Sequence, residues 1–228
     1  GNMTINDSTN IGNVSGDDDI GGFVGNNNAP LSIYDGLNAG NVSGDNDLGG
    51  FVGENNANLF INAGLNTGNI SGDLDIGGFV GDADSTTLIS NSVNRGDVTG
   101  ESDVGGFVGA NDTNISLSAI TNHGAISGQQ MIGGVIGRSL KTEITQAINY
   151  GDITSQNATT FSSIGGLIGF LVSDSLTLSK SGNFGQINGN ADGVGGLIGR
   201  VSETNQLRIT ESFNSGPVTQ DAGTEVVR

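Results

Sequence analysis

One phrase, repeated seven times, constrains this 228-residue chain more than any other property. Its first copy reads Val14-Ser15-Gly16-Asp17-Asp18-Asp19-Ile20-Gly21-Gly22-Phe23-Val24-Gly25: a β-branched residue, a hydroxyl, a polar run, an aliphatic, Gly-Gly, two apolar residues and Gly. A unit this short cannot enclose a core of its own, so repetition at fixed spacing points to a solenoid whose units bury one another.

The opening glycines Gly12, Gly40, Gly68, Gly96, Gly124, Gly151, Gly185 and Gly216 are separated by 28, 28, 28, 28, 27, 34 and 31 residues. They divide one domain, residues 1–228, into a partial coil 1–11, seven repeats beginning at Gly12 through Gly185, and a partial coil 216–228. Most of the excess in the sixth unit falls around Gln156 to Phe161, as a loop lengthened on a constant scaffold would. Forty-one glycines, two prolines and 14% charged residues argue for a turn-rich all-β chain. The regular aliphatics argue against disorder. Without cysteine there is neither a disulfide framework nor a thiolate metal site. No apolar run is long enough to span a bilayer as a helix, and no signal peptide opens the sequence.

Aliphatic columns identify the buried face. The third position of every unit is Val or Ile, from Val14 and Val42 to Ile187 and Val218. Further columns precede the double glycine (Ile20, Leu48, Ile76, Val104) and follow it (Phe23, Phe51, Phe79, Phe107, then Val24, Val52, Val80, Val108). A third stretch alternates, as in Leu31-Ser32-Ile33 and Leu59-Phe60-Ile61, the period of a strand with one buried side. The expected fold is therefore a parallel β-helix of about eight coils with three short strands each, right-handed, and roughly 38 Å long at strand spacing.

Stacking turns each column into a ladder. Asn10, Asn38, Asn66, Asn94, Asn122, Asn149, Asn183 and Asn214 each precede an opening glycine by two residues. An amide there can bond both its own turn and the amide of the next coil, which makes a structural ladder the expected role. The double glycines are expected at positions of positive φ or close backbone approach. They match neither the dinucleotide fingerprint nor the phosphate-loop pattern.

Charge is distributed unevenly. Residues 1–128 hold sixteen acidic residues and one Arg, whereas residues 129–228 hold eight acids and six bases. Asp17, Asp45, Asp73 and Glu101 form one acidic column, and Asp19, Asp47, Asp75 and Asp103 another two residues on. Carboxylates on neighbouring rungs repel by about 0.9 kcal/mol even in water, so these columns require solvation or a bridging cation. Calcium suits hard oxygen ligands spaced in this way and is the candidate cofactor. The alternative is a solvated acidic face on exposed turns.

Other chemistries have little support. His123 lies at a variable turn position, no Ser/His/acid set stands apart, and the Asp17/Asp19 pair recurs by repetition, so the chain is expected not to be an enzyme. A polysaccharide-active β-helix is the distant alternative, with Trp absent and Tyr34 and Tyr150 the only tyrosines. The net charge of −17 disfavours nucleic acid and anionic membranes as partners. Asn13-Val14-Ser15, Asn41-Val42-Ser43 and Asn69-Ile70-Ser71 are formal glycosylation sites, but glycans on adjacent rungs would collide.

The aliphatic-Gly-Gly-Phe/Leu-Val/Ile-Gly core, with its Asn-x-Gly-x-Val/Ile-Ser/Thr-Gly lead-in, resembles the GLUG repeat of large bacterial surface and secreted proteins over about Asn10 to Val218. Those proteins include adhesins and the non-catalytic regions of immunoglobulin-A-cleaving metallopeptidases. The resemblance implies an extracellular or cell-surface, non-catalytic β-solenoid. The chain lacks a His-Glu-x-x-His motif, and in Gly77-Gly78-Phe79-Val80-Gly81-Asp82 it departs from the calcium-binding nonapeptide of RTX proteins.

Met3-Thr4-Ile5 aligns with Leu31-Ser32-Ile33, and Val226-Val227 with part of a second strand, so the end fragments together make about one unit. A segment of a longer array is one reading, with an unknown surface ligand as its partner. A filament subunit whose copies stack end to end through completed coils is the other.

Overall fold

A computed structural model describes residues 1–155, 162–202 and 206–220. It is an all-β parallel solenoid of about seven complete turns. The lengthened loop expected around Gln156 to Phe161, and Val226-Val227, lie outside the described residues.

Each turn visits three parallel sheets. In the second full unit the chain passes through Val42–Ser43, then Asn46–Gly49, then Val52–Asn55, Leu59–Asn62 and Leu65–Asn66. The first of these belongs to an eight-stranded sheet, the second to a seven-stranded sheet, and the last three to one long sheet. The third face is therefore a run of three segments where the alternation alone suggested a single strand. In later turns the segments merge, as in Val108–Asn122 and Ile136–Asn149.

The register follows the repeat. Val42 pairs with Ile70 and Ile70 with Val98, while Leu48, Ile76 and Val104 align in the seven-stranded sheet. A slip of one residue would turn every buried aliphatic outward, so burial holds the rungs in place. The inward columns enclose two parallel cores. Phe51, Phe79 and Phe107 are fully buried, with ring centroids 4.5 and 4.7 Å apart. Each such ring contributes about 1.5–3 kcal/mol by leaving water.

The eight asparagines form the expected ladder. The amide nitrogen of Asn38 donates to its own turn at Gly40 O (2.9 Å) and to Asn66 Oδ1 (2.8 Å), and the pattern continues to Asn214. A parallel device explains the formal glycosylation sites. The side-chain oxygens of Asn13, Asn41 and Asn69 accept the backbone N–H of Asn41, Asn69 and Asp97 on the next rung.

The double glycines serve close approach alone. A Cβ on Gly50 would lie 2.3 Å from Gly78 O and 2.8 Å from Asn66 Cγ, so the Asn ladder itself excludes a side chain there. Among the described residues no glycine has positive φ; that conformation is taken by other residues, including the entire second acidic column.

Candidate functional site: an acidic corner between two sheets

The two acidic columns, equivalent by spacing, separate in the structure. Asp17, Asp45, Asp73 and Glu101 are exposed on the outside of the turn, joined only by backbone bonds such as Asp45 N–H to Asp17 O (2.6 Å). Asp19, Asp47, Asp75 and Asp103 adopt φ of +53° to +57°, a left-handed conformation that Asp tolerates better than most residues. This bend turns their side chains toward the corner where the seven-stranded sheet meets the long sheet. Burial deepens along the axis until Asp103 is only 8% exposed.

A second column faces them from seven residues downstream: Asn26, Glu54, Asp82 and, one unit beyond Ala110, Arg138. The Gly-x-x-Gly of the repeat brings this column in. A Cβ on Gly81 would lie 2.5 Å from the Asp47 carbonyl carbon, so only glycine lets the long-sheet strand pass so near the bend. The columns are therefore juxtaposed along one edge.

Both ends of this edge are satisfied by donors, an uncharged amide at one and a guanidinium at the other. Asn26 donates to Asp19 Oδ2 at 2.9 Å and also to Glu54. Arg138 Nε donates to Asp103 Oδ2 at 2.9 Å, and its other nitrogens reach Asp112. Burial works against the Arg138 charge, but Asp112 and Asp103 more than offset it and raise its pKa.

Asp47, Asp75 and Asp82 lie between these ends, each offering a carboxylate oxygen within 4.8 Å of the others. Burial, then Asp19 and Glu54, raises Asp47 to about 6. Burial, then Asp103 and Asp82, raises Asp75 to about 8. Burial, then Asp84 and Asp47, raises Asp82 to about 7 against the opposing pull of Arg138. Asp103 is also raised by burial, with Arg138 working the other way. Asp75 Oδ1 and Asp82 Oδ1 are buried without a hydrogen-bond donor. An acidic triad of this kind fits a metal ion: two oxygens on opposite sides of calcium stand about 4.6–5.2 Å apart, and the donor set is purely oxygen.

Of the eight residues expected as ligands, only Asp47 and Asp75 enter the triad. Asp82 was not among them, nor were the flanking Glu54, Asn26 and Arg138. Their 28-residue spacing is visible in the sequence. Which corner that column faces depends on the bend at φ > 0, which spacing does not reveal.

The other singled-out residues have structural surroundings. His123 stacks on Tyr150 (5.1 Å) and Tyr150 on Phe184 (5.0 Å), so these exposed rings spend their faces on one another. Among the described residues no helix is long and apolar enough to cross a membrane.

The fold and corner define a parallel β-solenoid with a repeated acidic edge. The crystal structure, at 1.30 Å resolution, of a candidate immunoglobulin A1 protease from Bacteroides ovatus is similar to it: TM-score 0.50, 17% identity, covering 83% of this chain and 78% of that one. At that identity the likeness concerns the fold. No family model matches the chain, and no curated protein matches it.

Proposed function

We propose that this chain is a non-catalytic, load-bearing β-solenoid segment of a bacterial extracellular or cell-surface protein, with an adhesive face, its acidic corner bridged between rungs by calcium. The observation that carries the reading is the asparagine ladder, continuous from Asn10 to Asn214. Each rung is tied to the next by side-chain amides inside the backbone ladders, an arrangement suited to resisting separation. The extracellular placement draws on the GLUG resemblance and on the likeness to the candidate immunoglobulin A1 protease of Bacteroides ovatus. Asp47, Asp75 and Asp82 would hold the cation, which would supply positive charge to the two orphaned oxygens and link two consecutive coils.

Single-molecule stretching tests it. The expected record is resistance followed by release in steps of about 95 Å, the extended length of one 28-residue unit, at higher force with calcium than with chelator. Smooth extension without resistance would refute the load-bearing role, and identical forces with and without calcium would refute the bridge.

A second reading, stacking of copies through the outer rungs, is favoured by the apolar side chains exposed there. Met3 is 45% exposed at one end, and Leu207 and Phe213 are 46% and 43% exposed at the other. Further rungs of a longer chain would cover the same residues. Particle size independent of concentration would exclude stacking by copies.

A further inference from the structure

The long sheet carries a feature that the acidic corner does not explain. Two adjoining hollows of about 260 and 220 Å³ share Thr86 and Leu88 and run from the rung of Asn2 to that of Ser175. Seven rungs at strand spacing make this one groove about 29 Å long. Its floor is apolar at the centre, where Phe60 is half-buried and Leu88 is 41% exposed, with the Tyr34 ring 5.5 Å from that of Phe60. Asn58, Thr86 and Asn114 present amides and a hydroxyl along one side.

The charge is as informative as the shape. Residues 1–128 carry sixteen carboxylates, yet none lines this groove before Glu143, which stands beside Lys141. The strip is neutral on an acidic protein. It neither repels an anion by design nor attracts a cation, and its lining matches a ligand with apolar C–H faces and uncharged hydroxyls.

The backbone narrows the choice further. Strands Leu31–Tyr34, Leu59–Asn62 and Thr87–Ser90 pair with one another in the ladder, so the floor offers no free sheet edge. An extended peptide gains most of its affinity by adding to such an edge, and here it would leave its own N–H and C=O groups poorly paired. A sugar has no such requirement: its C–H face can lie on Phe60 and Leu88 while its hydroxyls reach Asn58, Thr86 and Asn114.

We infer that this groove binds a neutral oligosaccharide lying along the solenoid axis. The inference deepens the reading of the chain as a non-catalytic surface segment, in that the sugar is held without being cut. The probes are hexasaccharides of β-1,4-linked glucose, mannose, xylose and N-acetylglucosamine, each titrated into the millimolar range while backbone amide resonances are followed. At least one is expected to shift the amides of Phe60, Leu88 and Ser116. Phe60→Ala with Leu88→Ala is expected to weaken that binding tenfold or more, and Phe60→Trp to tighten it. Leu74→Ala, exposed on the seven-stranded sheet, is expected to leave it unchanged. Absence of groove shifts with every sugar, shifts confined to other faces, or indifference of binding to the Phe60 variants would each overturn the inference. Recovery of the hexasaccharide intact is expected. Its shortening would refute the non-catalytic reading while leaving groove binding standing.

Discussion

Replacing Asp75 by Asn should stabilise this protein, and by an amount that depends on pH. Asp75 sits at φ +57° between rungs, raised to about 8 by burial and then by Asp103 and Asp82. Asn tolerates the left-handed bend as Asp does, so the backbone is undisturbed. Its amide can also donate to the Asp103 carboxyl, replacing the proton that Asp75 shares with it.

A carboxyl whose pKa is raised on folding contributes most below its unfolded value, near 3.8. That contribution is lost as pH rises through the folded value of about 8. At pH 7 the unfolded chain gains ionisation over about 3.2 pH units that the folded chain forgoes, a ceiling of about 4 kcal/mol at 1.36 kcal/mol per unit. Asp47 and Asp82 share the proton load, so we expect Asp75→Asn to gain about 2–4 kcal/mol at pH 7, more at pH 8.5 and under about 1 kcal/mol at pH 4. Urea unfolding at the three pH values with chelator present measures this. Calcium at a hundred times its dissociation constant should restore about 2.7 kcal/mol to the native protein and little to the variant. A gain equal at all three pH values, or a loss at pH 8.5, would refute the electrostatic account of the corner.

Three further substitutions, two of them set against a control, probe the scaffold. Asn94→Ala strips Asn66 of its acceptor and Asn122 of its donor inside the ladder; we expect a loss of about 2–4 kcal/mol by urea unfolding, against under 1 for the exposed rung-end Asn13→Ala. Gly78→Ala places a Cβ 2.2 Å from Gly106 O and should cost more than about 3 kcal/mol or prevent folding, whereas Gly12→Ala, whose nearest neighbour is 3.9 Å away, should be neutral by circular dichroism melting. Ala63→Gly relieves a left-handed alanine at φ +56° and should raise the melting temperature, by about 0.5–1 kcal/mol in stability.

The scaffold was legible in the sequence because a solenoid converts sequence period directly into contact. Val42, Ile70 and Val98 stack because they are 28 residues apart, and no long-range pairing has to be guessed. The asparagine column was readable for the same reason, down to its two partners. The corner was half legible. Period shows which residues share a column, but it does not show which columns share a corner: Asp75 and Asp82 meet only because the chain bends at φ > 0 and returns across Gly81. The same bend explains why Asp73, two residues from Asp75 and acidic like it, stays exposed while Asp75 turns into the corner.

That distinction bears on where function can change in such a fold. A residue in the asparagine or double-glycine columns is locked by neighbours above and below, because a side chain on Gly50 would strike Asn66 and the backbone of Gly78. The corner columns have no such constraint, and they vary: Asp19, Asp47, Asp75, Asp103 and then Met131 on one side, Asn26, Glu54, Asp82, Ala110 and Arg138 on the other. Arg138 closes the acidic run by pairing with Asp103 at the rung where the acidic column ends in Met131. The corner carboxylates that lack an Asn or Arg donor are thereby confined to the coils of Asp47 and Asp75, so one edge gathers three carboxylates within 4.8 Å of one another between an amide-bonded end and an Arg-paired end. A solenoid can thus place a site at a chosen height along its axis by changing a few column members, while every rung keeps the same backbone.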